Sequence, residues 1–377
     1  MTGIGAVSLG ITATQLTTNA VVLGKISTPY ALAISGETAA NVAVDSKNSH
    51  VASIKVVDTA ANFMAQLDTA LASNAALLGG IALAGPGIAN LAVTAAQFAQ
   101  DTAVFGKITT PYALTISGET AAHVAADVKN SHVTSIAVVD SAANVAANLG
   151  GLQAIVGKLA SIALTDNGTA PLAITAAQLA VDAVTLGKIS TPYTLNIRSE
   201  TAAHLPADAA NNHVMSIAVA DTAAHVSANF NSLVGNASKL SAITLTDATT
   251  STLSLSAAQI STGLVVLNAI QSPYLLSVKD TGANIGRLDL SGVHTGLIEI
   301  MPTSLAATLT VDTPVTDLNL SLIKLTGAVI NEKMYHTTGT ELDIVVKGSV
   351  VEQVFFTHDT ESQLQLLGIG NTVVHVL

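Results

Sequence analysis

Stretches in which apolar and polar residues alternate, such as "YALTI" from Tyr112, "SIAVV" from Ser135 and "APLAI" from Ala170, recur along the chain. Period-two alternation predicts β-strands. Each stretch is followed by an Ala-rich segment, such as "TAAQLAVDAVTLGKI" from Thr175 or "SAANVAANLGGLQAIVGKL" from Ser141, whose apolar residues lie three and four apart. That spacing predicts a helix with one buried face.

The junction between the two patterns has its own signature: a Thr or Ser, two small residues, then Asn, Gln or His. It begins at Thr12, Thr38, Thr59, Thr94, Thr120, Ser141, Thr175, Thr201, Thr222, Ser256 and Thr281. A hydroxyl placed there can accept from the unpaired amides of a first helical turn, so these residues are expected to be helix N-caps. The two small residues after the cap allow close approach to a neighbouring layer of chain.

The junctions are spaced 26, 21 and 35 residues apart, then 26, 21 and 34, then 26, 21 and 34 again. The Pro-Tyr pairs at Pro29, Pro111, Pro192 and Pro273 recur at 82, 81 and 81 residues. Three unequal coils per long repeat, each with one strand and one helix, predict a right-handed α/β solenoid with a parallel sheet along one face. The repeats assign residues 1–284 to the solenoid, about three and a half long repeats. From about Arg287 short alternating segments replace the Ala-rich helices, so residues 285–377 are expected to form a β-rich C-terminal cap, with a candidate secretion signal near its end.

Composition narrows the function. The chain is 49% hydrophobic but only 3% aromatic and 10% charged, its apolar mass being Ala, Val, Leu and Ile. No apolar run approaches the roughly 20 residues that span a bilayer, so no transmembrane segment is expected. The start, "MTGIGAVSLGITATQ", lacks the basic and apolar regions of a secretory signal peptide. The net charge is −11, with Arg198 and Arg287 the only arginines, which argues against nucleic acid as a partner. There is no cysteine, and no G-x-S-x-G, H-E-x-x-H or P-loop pattern, so the chain is not expected to be an enzyme and no catalytic, cofactor or metal residue is assigned.

Several columns of polar residues carry two readings. His50, His132 and His213 fall at one repeat position, and His123, His204 and His225 at the fourth place of the junction motif. Stacked imidazoles could bind a metal, yet other copies of the second column carry Asn41, Asn62, Asn144, Gln97 and Gln178, which favours a polar ladder to backbone groups. Lys25, Lys107 and Lys188 precede Glu37, Glu119 and Glu200 by twelve residues and suggest charge ladders on a solvated edge. Asp58, Asp140, Asp221, Asp166 and Asp247 read as turn formers, with calcium as the alternative. The glycine-rich nonapeptide of calcium-binding β-rolls is absent.

The words "TAAQLAVDAVTLGKISTPYTLNI" and "VVDSAANVAANLGGLQAIVGKLASIALTD" resemble the Ala/Thr/Asp-rich repeat regions of type I secreted bacterial surface proteins, over roughly residues 11–280. The resemblance implies export through an uncleaved C-terminal signal and a place outside the cell or on its surface. The resulting expectation is a non-enzymatic extracellular structural protein that self-associates through its coil ends into a surface layer, fibre or biofilm matrix. The alternative is an adhesin-like module that binds polysaccharide or a host surface, against which the scarcity of aromatic rings argues.

Overall fold

The computed structural model describes residues 7–249 and 251–281, the positions 284, 288 and 293, and the backbone of six strands between residues 297 and 376. The chain divides into two compact units, residues 1–170 with 182–192, and residues 171–181 with 193–377.

The first unit holds two four-stranded parallel sheets. One runs β1 (Val7–Thr12), β2 (Tyr30–Glu37), β3 (Val51–Thr59), β4 (Leu78–Ala84), and the other β5 (Ala89–Thr94), β6 (Tyr112–Glu119), β7 (Val133–Asp140), β8 (Leu159–Leu164). The register repeats: Val7 lies opposite Tyr30, and Ala89 opposite Tyr112. Parallel neighbours require a crossover between them, and the Ala-rich segments supply it as short helices, among them Ala13–Thr18, Ala60–Gln66 and Ala142–Ala147.

The second unit repeats the arrangement with β9 (Leu172–Thr175), β10 (Leu195–Glu200), β11 (Val214–Asp221) and β12 (Leu240–Leu245) in one parallel sheet. A further parallel sheet contains β13 (Ser251–Leu255), β14 (Tyr274–Asp280), β15 (Leu297–Pro302) and β16 (Lys324–Leu325). The last sheet differs: β17 (His336–Thr337), β18 (Thr340–Lys347) and β19 (Val350–Thr357) pair antiparallel, and β20 (Val373–Val376) adds parallel to β19. The segment 285–377 therefore contains strands, of which β15 and β16 extend a parallel sheet. The acidic residues Asp359 and Glu361, part of the candidate secretion signal, lie outside the described residues.

The α/β class and the parallel sheets of alternating strands and helices are as expected, and are compatible with a repeat solenoid. Each long repeat, however, carries four strands where the pattern predicted three. Between β4 and β5 there is no helix, only the turn Gly85–Ile88, in which Gly85 (φ 141°) and Gly87 (φ 81°) adopt backbone that other residues avoid.

Alternate strand residues fill the core. Leu32, Ile34, Ile54 and Val56 in one sheet and Leu114, Ile116, Ile136 and Val138 in the next are buried, and Phe63, Leu67 and Leu149 cover them from the helical side. Each such side chain contributes about 1.5–3 kcal/mol relative to full exposure.

Two local departures interrupt this regularity. The register between β2 and β3 slips between Ser35 and Glu37, that between β6 and β7 between Ile116 and Glu119, and that between β10 and β11 between Ile197 and Glu200. Left-handed residues occupy the slips: Gly36 (φ 70°), Gly118 (φ 72°) and Ser199 (φ 57°). Such a bulge turns the next side chain to the opposite face, which buries Glu37, Glu119 and Glu200. The second departure is a π-helical turn, Leu67–Leu71, which follows the helix Ala60–Gln66. Leu67 and Leu71 are four residues apart where Leu149 and Leu152, and Phe230 and Leu233, are three apart, and all six are buried. The π-turn thus holds the residue that makes one junction spacing 35 instead of 34.

Candidate functional site

The junction motifs sort into three kinds of turn. At Thr12, Thr94, Thr175 and Ser256 the hydroxyl accepts from the amide of Gln15, Gln97, Gln178 or Gln259, and the Gln side chain accepts from the cap residue's own amide. These are reciprocal capping boxes. At Thr59, Ser141 and Thr222 the hydroxyl caps in the same way, but the preceding Asp takes over the remaining donors. Asp140 Oδ1 accepts from the Ser141 amide at 2.8 Å and from Asn144 Nδ2 at 2.7 Å, while Oδ2 accepts from the Ala121 amide at 3.0 Å. Asp58 and Asp221 do the same for the amides of Ala39 and Ala202, each nineteen residues back.

Each of these carboxylates joins its own turn to the turn of the preceding strand–helix unit. Burial is the largest influence on Asp140 and pushes its carboxyl up, but the hydrogen bonds from Asn144, Ala121 and Ser141 outweigh it and hold it below the ordinary Asp value. Asp166 and Asp247 serve the amides of Ala142 and Ala223 in the same manner. The acidic turn residues are therefore engaged with backbone donors, and among the described residues no three His, Asp or Glu side chains gather as a metal cluster.

At Thr38 and Thr120 the third kind of turn appears. The buried Glu37 accepts from the Thr38 amide at 2.8 Å and from Asn41 Nδ2 at 3.0 Å, and Glu119 accepts from the Thr120 amide at 2.8 Å. Glu200 does likewise for Thr201. The expected Lys–Glu ladder on a solvated edge is thereby corrected: the bulges turn the glutamates inward, and among the described residues no Lys pairs with them. Eight residues after each Glu stands an Asp, Asp45, Asp127 or Asp208, within hydrogen-bonding reach of it. The Oδ2 atoms of Asp45 and Asp127 are buried and lack a hydrogen-bond partner.

His50, His132 and His213 stack on Tyr30, Tyr112 and Tyr193, with ring centroids 4.0, 3.8 and 4.0 Å apart. Each Nδ1 lies 3.0–3.2 Å from the carbonyl oxygen of its own Tyr. A carbonyl only accepts, so Nδ1 carries the proton. This column is a ladder to the backbone. The other column divides: the Gln members bond the backbone as expected, whereas Asn62, Asn144 and His225 bond the preceding Asp, His225 Nδ1 lying 2.7 Å from Asp221 Oδ1. His123 and His204 face Glu119 and Glu200 at 3.6 and 4.0 Å. A groove of about 300 Å³ lies beside this turn in the second repeat, lined by Phe98, Glu119, His123 and Asp127.

The first strand–helix unit presents a different surface. Val22 is 63% exposed, whereas Val104, Thr185 and Val266, at the same position of later repeats, are at most 1% exposed. Leu9, Ile11 and Leu23 are half-buried where their counterparts Leu91, Val93 and Phe105 are buried. In the first unit those counterparts lie against the preceding helix, with Phe63 and Phe105 rings 6.5 Å apart. In the second unit the equivalent helix supplies Ser227, whose hydroxyl accepts from the edge amide of Ser254 in β13. Among the described residues nothing does this for β1.

The sequence reading missed the Glu–Asp pairs and the Tyr–His stacks. Constant spacings of 8 and 20 residues in three repeats were the available signals. Compared with known proteins, the chain matches no family model, no curated protein and no solved structure. No helix among the described residues is long and apolar enough to cross a membrane.

Proposed function

We propose that the chain is a non-enzymatic structural protein that associates with further copies of itself. In this reading β4 and β5 are the two halves of one broken strand, so that each long repeat winds three coils of a solenoid and the C-terminal strands cap its far end. Extracellular placement in a surface layer, fibre or biofilm matrix, after export by a type I route, rests on the resemblance of the repeats.

The observation that carries the proposal is the contrast between Val22 and its buried counterparts. Among the described residues this face is apolar and the outer edge of β1 carries no partner, a combination that invites a matching face. Its counterparts at β5 and β13 accept an Ala-rich helix from the strand–helix segment before them, so the face is shaped for a surface of this protein's own kind. A contact between unlike ends of two copies is heterologous, and in this reading its rotation closes no ring, so that it extends into a filament.

Negative-stain electron microscopy and sedimentation of the full chain over a concentration series test this. Ordered fibres or sheets that lengthen with concentration are expected. A monodisperse monomer at every concentration, pH and calcium level would remove the proposal.

A further inference from the structure

In each of three repeats a buried Glu faces an Asp eight residues later: Glu37 and Asp45, Glu119 and Asp127, Glu200 and Asp208. Two ionised carboxylates offer only acceptors, and nothing else donates to the buried Oδ2 of Asp45 or Asp127. A hydrogen bond between the two groups therefore needs a proton on one of them.

We infer that each Glu–Asp pair is closed by one shared proton, which makes the repeats a pH-sensitive device that is firm in mild acid and loosens as the proton leaves. The inference concerns the fold itself and stands whether or not copies associate.

The surroundings favour the Asp as the proton's seat. Burial first, and then the Glu beside it, raise Asp45 and Asp208 to about 7 and Asp127 to about 6, from an ordinary 3.8. Glu37 keeps its charge: burial pushes it up, but hydrogen bonds from Asp45, Thr38 and Asn41 outweigh that and lower it. His123 and His204 face the second and third pairs, and Asn41 stands in their place at the first. The carboxylates of Asp58, Asp140 and Asp221 lie one amide away, on the Ala beside each turn. The helices packed on β2, β6 and β10, Ala13–Thr18, Ala95–Gln100 and Ala176–Val181, carry no charged residue. The helical turns behind the pairs contribute only Asp68, in the first repeat. In the second and third repeats Lys158 and Lys239 also stand close, their Nζ donating to the carbonyl oxygens of Val128 and Ala209, next to Asp127 and Asp208.

The sign follows from linkage. An acid whose folded value is raised binds more protons in the folded than in the unfolded chain between the two values. Its stabilisation is complete below 3.8 and is lost as the pH rises through about 6 to 7.

Thermal unfolding of the full chain, followed by circular dichroism from about pH 5 to about pH 8, provides the test. The midpoint is expected to fall by several degrees across that range. In the triple variant Asp45→Asn, Asp127→Asn, Asp208→Asn each amide donates permanently to its Glu, and the midpoint is expected to stay level. An equal fall in the variant would overturn the inference. So would recovery of the natural chain at the higher pH on adding calcium, which would make the pairs cation sites. Should the variant fail to fold, infrared spectroscopy of the natural chain decides: a protonated-carboxyl band present in acid must fade by about pH 8, and its absence in acid overturns the inference.

Discussion

Val22 and Val104 hold the same place in successive repeats, yet one is 63% exposed and the other 1%. The difference lies in the neighbour, since both follow an Asn or Asp and two further residues into the same short helical turn. Placing a charge at each position separates folding from association. Val22→Asp is expected to abolish assembly seen by sedimentation while leaving the thermal midpoint within a few degrees. Val104→Asp buries an unpaired charge and should cost about 3 kcal/mol or more, which denaturant unfolding would register.

Asp140 gives the acid side of the stability profile. Asp140→Ala leaves the Ala121 and Ser141 amides and the Asn144 side chain without their acceptor, at an expected cost of about 2–4 kcal/mol in urea unfolding. Its lowered carboxyl stabilises the fold above the ordinary 3.8 and ceases to do so as the pH falls through its folded value. Asp58, Asp221, Asp247 and Asp280 are lowered too, so the natural chain should lose stability in strong acid and the Asp140→Ala variant should lose less of it there.

Ser199 stands at φ 57° where the two earlier repeats use Gly36 and Gly118. A side chain in that region costs about 1–2 kcal/mol, part of which a glycine returns through greater freedom when unfolded. Ser199→Gly is expected to raise the unfolding free energy by about 0.5–1 kcal/mol, with Gly118→Ser moving it in the opposite direction by a similar amount.

Thr69 lies in the π-turn and is exposed. Deleting it brings Leu67 and the following buried leucine to the three-residue spacing of Leu149 and Leu152. The helix should close into ordinary geometry, and the unfolding free energy should change by no more than about 1 kcal/mol. A comparable deletion inside β7 would instead reverse every later side chain of that strand and abolish folding.

How far the sequence foretold these features depends on the range of the interaction. The hydroxyl caps were legible because cap, small residues and Gln lie within four positions. Parallel strands were legible because alternation and the Ala-rich crossovers left few other solutions. Glu37, Glu119 and Glu200 were misread as surface residues because alternation assumes an unbroken strand, and a single left-handed residue ahead of each reverses its face. The Asp140–Ala121 bond spans nineteen residues, one full strand–helix unit, and becomes visible only when the units are stacked. The break between β4 and β5 was hidden for another reason: "GPGI" reads as a loop, and nothing local tells that no helix intervenes.

The π-turn at Leu67–Leu71 bears on how such a chain is inherited. Because a surplus residue is taken up on the helical side, the strands after it keep their phase. Copies of 81 and 82 residues can therefore be duplicated, exchanged or lost in the gene as whole cassettes, and a slip of one codon there leaves its neighbours undisturbed.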